Sequence, residues 1–166
     1  MSLPAYLFLY DENGVQVKGE CLAAGREGAI EIMSSSHAVN QGVDAHTGSL
    51  TGSRMHSPYI LHKQTDKTSP YLAVAVCEGR RLKRAEIRFY DINSAGMEYE
   101  IYRVVMEGVV VMSAATSHAY IPGSPTPNML EIIGLRFKSI QWHSIAGNIQ
   151  YSDSWEKEHE ASKENQ

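Results

Sequence analysis

The stretch "AEIRFYDINSAGMEYEIY", residues 85–102, decides how the chain is read. Taken with a period of two, it puts Ala85, Ile87 and Phe89 on one face of an extended chain and Glu86, Arg88 and Tyr90 on the other. Met97, Tyr99 and Ile101 oppose Glu98, Glu100 and Tyr102 in the same way. Between the two runs, Asp91 to Gly96 gathers Asp, Asn, Ser and Gly, the residues that tolerate tight turns. The stretch therefore predicts two half-buried strands joined as an antiparallel hairpin.

Outward from this hairpin the same period recurs at Tyr6–Tyr10, Val15–Cys21, Ile30–Val39, Arg54–Lys63, Tyr102–Ala114, Leu130–Ser144 and Asn148–Ser152. A mainly β chain follows. One segment breaks the pattern with helical signals: Ser69 as N-cap, Pro70 at the first helical position, "YLAVAVCE", and Gly79 placed for a left-handed C-cap. These predict a helix over about residues 70–78. Arg80, Arg81, Lys83 and Arg84 would then lie just past its end, where cations complement the helix dipole.

Two connections carry little core pattern. Residues 40–53, "NQGVDAHTGSLTGS", hold three glycines among Ser and Thr and read as a long extended loop, mobile until a partner orders it. Residues 120–128 hold three prolines and read as an extended surface link. Residues 156–166, "EKEHEASKENQ", have four Glu, two Lys and one apolar residue, which predicts a polar, disordered tail after a single domain spanning residues 1–155.

At 166 residues, with 43% hydrophobic and 20% charged residues, the chain has enough apolar surface for one core. A net charge of -4 argues against a nucleic-acid or anionic-membrane surface. The first apolar run stops at Tyr10 and follows no basic segment, so neither a signal peptide nor a membrane span is expected, and synthesis and folding in the cytoplasm are. Cys21 and Cys77 are too few for a disulfide framework and read as reduced thiols.

The residue types that carry chemistry do not combine into a site. His46 lies in the glycine-rich loop, and His56 and His62, six apart on one expected strand, would sit about 20 Å from each other on one face, too far to share a metal. No Ser or Cys has an identifiable base beside it, and "GSLTGSR" lacks the Gly-Lys-Ser/Thr ending of a phosphate loop. Glu98 and Glu100 look like the solvated face of a strand. No catalytic residue, cofactor or metal is therefore expected. A lipocalin-like ligand-binding barrel would need a roomy apolar interior, and a small hydrolase a nucleophile and base brought together by folding. These are the two readings from other classes.

In "MLEIIGLRFKSIQW", residues 129–142, apolar residues occupy both phases: Ile133, Leu135 and Phe137 against Leu130, Ile132, Ile140 and Trp142. Either the strand is covered on both faces, one of them by another subunit, or a β-bulge near Ser139 shifts the phase.

Ordered blocks along nearly the whole chain resemble the Hcp family, the tube proteins of the type VI secretion system. They are "REGAIEI" (26–32), "TGSLTGSRMHSPYILHKQTDKTSPYL" (47–72), "AEIRFYDINSAGMEYEIYRVVMEGVVVMS" (85–113), "LRFKSIQW" (135–142) and "GNIQYSDSW" (147–155). Residues 117–129 depart from the more charged, His-containing segment of relatives. The resemblance implies an antiparallel β-barrel with one packed helix, assembled into six-membered rings that stack into a tube. It implies a structural role without catalysis and export by the type VI machine without a cleaved signal. The implied partners are further copies of the chain, the spike, sheath and baseplate proteins, and effector proteins in the ring lumen. Asp44, His46 and Thr47 in the long loop are then expected to touch the adjoining ring. Ser34 and Ser36, in phase with Ile30 and Ile32 if no bulge intervenes, are expected to face the lumen. Ile132, Ile140 and Trp142 are expected at the subunit interface.

Overall fold

A computed structural model describes residues 3–155. In chain order the elements are β1 (Ala5–Tyr10), β2 (Gln16–Val17), β3 (Ile30–Ile32), β4 (Ser34–Ser36), β5 (Val39–Asn40), β6 (Met55–His56), β7 (Tyr59–Gln64), α1 (Ser69–Glu78), β8 (Arg81–Ile92), β9 (Glu98–His118), β10 (Met129–Arg136), β11 (Ser139–Ser144) and β12 (Ile149–Ser154). The proposed tail, residues 156–166, lies outside the described residues.

The predicted hairpin is β8 and β9, which pair antiparallel from Ile92↔Glu98 to Arg81↔Val110. Its turn is built as the residue types predict. The Asn93 side chain accepts hydrogen bonds from the backbone N–H groups of Ala95 (2.9 Å) and Met97 (3.0 Å), and Gly96 takes the left-handed conformation at φ 78°.

Pairing continues from β9 to β10 to β7 to β4 on one side and from β8 to β1 to β3 on the other. β3 and β4 are two halves of one segment, residues 30–36, and Met33 N–H between them donates to the His62 carbonyl at 2.8 Å. That segment therefore joins both ends of the sheet, and the pairing runs round as a barrel. Inside it, Leu7, Leu9, Leu61, Leu72, Leu82, Ile87, Met106, Ile133, Leu135 and Ile140 are essentially inaccessible to solvent. They fill the interior, which removes the room that a ligand-binding barrel requires.

β9 is long enough to serve two partners on one edge. Residues 102–107 pair with β11, and residues 110–118 pair with β10. The change falls at Gly108, whose φ is 61° and where an added Cβ would lie 2.9 Å from the Lys138 side chain. Glycine answers both the backbone angle and the close approach.

The helix spans Ser69–Glu78, and Gly79 closes it at φ 60° as predicted. Its start differs. Thr68 holds the N-cap position, and no side chain caps it. Ser69 Oγ is committed elsewhere: it accepts from Asp66 N–H at 3.0 Å and donates to the Glu131 carboxylate. The basic cluster follows the helix end as expected, Arg80 directly after Gly79, and Arg81, Lys83 and Arg84 already belong to β8.

α1 plugs the barrel through Leu72 and Ala75, both fully buried. A buried ionic knot ties its start to the sheet. Lys63 Nζ on β7 donates to Asp66 Oδ1 (3.1 Å), the Gln64 carbonyl (3.0 Å), Ser69 Oγ (3.3 Å) and Glu131 Oε2 on β10 (3.3 Å). Every donor of the ammonium is used, which is what makes a buried charge tolerable.

Candidate functional site

Four adjacent strands present one smooth outer face. Strand registers align Ser34 (β4), His62 (β7), Ile132 (β10) and Ala115 (β9) in one row, and Ser36, Ile60, Gly134 and Ser113 in the next. Such a row spans about 14 Å at the usual strand spacing. Small residues dominate it, and at Gly134 an added Cβ would meet Ser113 Oγ at 2.6 Å. Ser34 and Ser36 point outward here, whereas Ile30 and Ile32 point into the core. The pattern shifts phase at Met33, so these serines do not continue the isoleucine phase, and Ser35 takes the inward position beside Leu61.

The doubly apolar stretch 129–142 resolves into two strands with a break at Phe137 and Lys138. The phase shifts there, which is the bulge alternative. Ile140 turns inward and is 1% exposed, so it is a core residue and cannot anchor a subunit contact from the surface. Trp142 packs half-buried against the same core. Ile132 alone of the three stays outside, at 40% exposure, and it shares its face with Ser34.

Residues 40–53 are not a shapeless loop. They form an arm whose strands β5 and β6 pair at Val39↔His56 and Asn40↔Met55, with a further bridge at Val43↔Leu50. Asp44 organises the tip: its carboxylate accepts from the N–H groups of His46 (2.8 Å) and Thr47 (2.9 Å), and its own N–H donates to the Ser49 carbonyl at 2.8 Å. Those two backbone bonds hold the Asp44 carboxyl below the usual carboxylate range. The order that sequence reasoning assigned to a partner is thus supplied locally, while Val43, Leu50 and Met55 stand 53%, 70% and 69% exposed.

At the root of the arm lies a cluster that spacing could not reveal, because it joins three distant parts of the chain. His56 Nε2 lies 2.7 Å from Asp153 Oδ2 on β12, and His56 Nδ1 lies 3.2 Å from His37 Nε2. Phe137, Trp142 and Trp155 pack against the His56 ring, and His37 stacks on Tyr59 at 5.2 Å. Arg54 Nε donates to Asp153 at 2.5 Å. Partial burial pushes Asp153 up, but the hydrogen bonds from Arg54 and His56 and the guanidinium charge outweigh it and bring its pKa to about 2. Burial, then the neighbouring His56, lowers the pKa of His37. Burial raises that of Tyr59 to about 12.

The expected single strand 54–63 is interrupted at Ser57 and Pro58, so buried His56 and exposed His62 face different surroundings, and His46 sits at the arm's tip. Among the described residues no group of three or more His, Cys, Asp or Glu side chains is placed to hold a metal ion. The ring nitrogens of His56 face Asp153 and His37, not a nucleophile. Cys21 and Cys77 are free.

Comparisons with known proteins agree on one family. A family model described as "Type VI secretion system effector, Hcp" matches residues 6–143. The chain is 29% identical to the "Major exported protein" of Pseudomonas aeruginosa, over 93% of this chain and 96% of that one. Among solved structures it resembles the Hcp1 protein of E. coli EAEC 042, at 38% identity and TM-score 0.81, covering 93% of this chain and 99% of that one. The secreted protein Hcp3 of Pseudomonas aeruginosa has the same fold at 22% identity and TM-score 0.72, covering 91% and 99%.

Proposed function

We propose, from the premise that the chain belongs to the Hcp family of type VI secretion proteins, that six copies close into a ring and that the rings stack into the inner tube of the secretion machine. The observation that carries this is the family match over residues 6–143 together with the barrel it predicts. The chain acts as a structural part, exported without a cleaved signal after folding in the cytoplasm, and performs no catalytic step. Its partners are its own copies, the spike, sheath and baseplate proteins, and effectors carried in the lumen.

The outer rows through Ser34 and Ser36 supply the lumen wall. A low, mostly small-residue surface suits a channel that must hold cargo weakly. Ile132 belongs to that wall because it lies in the same row, so it lines the lumen instead of the contact between subunits. That contact draws on other surfaces, among them β12, which pairs with β11 on one edge and carries Ile149 and Tyr151 at 55% and 73% exposure.

The arm reaches the adjoining ring with Asp44, His46 and Thr47 at its tip. Replacing Val43 to Leu50 with two glycines tests this reading. Rings that form but no longer stack or leave the cell support it, whereas mutant rings that stack and are exported like the parent refute it.

A further inference from the structure

We infer that the chain of contacts Asp153, His56, His37 is an acid-sensitive latch that holds the root of the arm against β12, closed while the histidine pair carries at most one extra proton and opened when both rings are charged. His37 lies where the chain enters the arm, between β4 and β5, and His56 lies on β6 where the chain leaves it. Asp153 belongs to β12, far along the chain. One line of contacts therefore pins both feet of the arm to a third element.

The hydrogen positions follow from chemistry. Asp153 is a carboxylate at neutral pH and can only accept, so His56 Nε2 carries a proton and donates to it. His56 Nδ1 is then bare and must accept, so His37 Nε2 carries a proton and donates across the 3.2 Å contact. One further proton is harmless, because it can go to His37 Nδ1 and leave the line intact. A second cannot be placed. It would set His56 Nδ1–H against His37 Nε2–H, two donors and two positive rings face to face.

The charged groups around the pair do not relieve this. Arg54, just before β6, already holds Asp153, Arg136 on β10 donates to the His56 carbonyl at 2.8 Å, and Tyr59 on β7 is neutral. Among the described residues Asp153 is the one anion hydrogen-bonded to the pair, and of the two rings it faces only His56. Because the closed line has room for at most one extra proton and the separated rings can each take one, the open state binds more protons, and closing is progressively lost as pH falls below the ordinary histidine value near 6.5. Burial, then His56, also lowers the pKa of His37, which acts in the same direction. The latch lies within one chain, so it does not depend on the tube reading.

Amide hydrogen exchange, corrected for its intrinsic pH dependence, tests it on the intact protein. The reporters are the Ser57 N–H on the Ala38 carbonyl, the Ala38 N–H on Ser57 Oγ and the Thr51 N–H on the Gly42 carbonyl. Between pH 7.5 and 5.0 the opening of these amides should rise about thirtyfold, the gain in protonation of one ordinary histidine over that range. Core amides such as that of Met106 should not change. In His37→Gln the amide can donate to a bare His56 Nδ1 or turn its carbonyl to accept from a charged one, so no proton breaks the line and the rise should vanish. Arm protection unchanged across this range, or an equal rise in His37→Gln, would overturn the proposal. Should that variant not fold, imidazole nitrogen shifts of the parent decide it: both rings charged while arm protection persists refutes the latch, and loss of protection with the second proton supports it.

Discussion

Lys63→Met would take the cation out of the buried knot beneath α1 and keep nearly the same volume, so packing is preserved and the electrostatics are tested alone. The Lys63 side chain is fully buried and Glu131 is 1% exposed, which leaves that carboxylate with no route to water once its partner is gone. Removing one member of a buried pair costs about 3–5 kcal/mol. Two bonds remain to soften the loss: Ser69 Oγ still donates to Glu131, and Thr68 N–H still donates to Asp66 at 2.9 Å. The lower end, about 3 kcal/mol, is therefore expected, equal to a fall in Tm of about 6–12 °C for a chain of this size. Urea unfolding at several protein concentrations gives the value while separating ring dissociation from unfolding. Glu131→Leu and the double variant complete a cycle whose coupling should exceed about 1.5 kcal/mol. A single-variant loss below about 1 kcal/mol, or additivity within about 0.5 kcal/mol, would refute the reasoning.

Leu72→Ala empties a site that is fully buried beneath the barrel and should cost about 2–5 kcal/mol in the same unfolding assay. Ile140→Ala and Ile132→Ser should separate cleanly: the first lowers stability by about 2–5 kcal/mol, and the second leaves urea unfolding nearly unchanged because its side chain is already partly in water. Asp153 has a folded pKa of about 2 against 3.8 ordinarily, so its contribution is present above about 3.8 and is lost as pH falls toward 2; Asp153→Asn should flatten that part of the stability profile in acid titrations followed by tryptophan fluorescence.

Much of the barrel was legible because period two is strong where one face is buried, as in Tyr59–Gln64. In residues 85–102 the strands and turn were legible but the faces were not, since Glu86 and Tyr90 are buried beside Ala85 and Ile87 while Met97 and Tyr99 stand 67% and 47% exposed. The sequence reading failed where phase changes within an apolar run. Ile30–Val39 and Leu130–Ser144 each read as one strand, yet Met33 and the Phe137–Lys138 break reverse the alternation, moving Ser34 outward and Ile140 inward. A one-residue slip exchanges faces, and no composition signal marks it. Ser69 is a good cap by type, but cooperation with Glu131, 62 residues away, is a tertiary fact. The same holds for the root of the arm. His37, His56 and Asp153 share no spacing motif, and only barrel closure together with the β11–β12 hairpin brings them into contact. The arm's glycines signalled freedom, while Asp44 offered the one cue to its turn: an Asp followed by residues whose N–H groups can reach back to it.

A tube subunit of this kind must close into rings with its own copies. Negative-stain electron microscopy of the purified protein, with copy number fixed by native mass spectrometry, tests it most directly. Closed rings of six chains around an open hole are expected. Compact particles without a hole, with only monomers and dimers across the micromolar range, would contradict it.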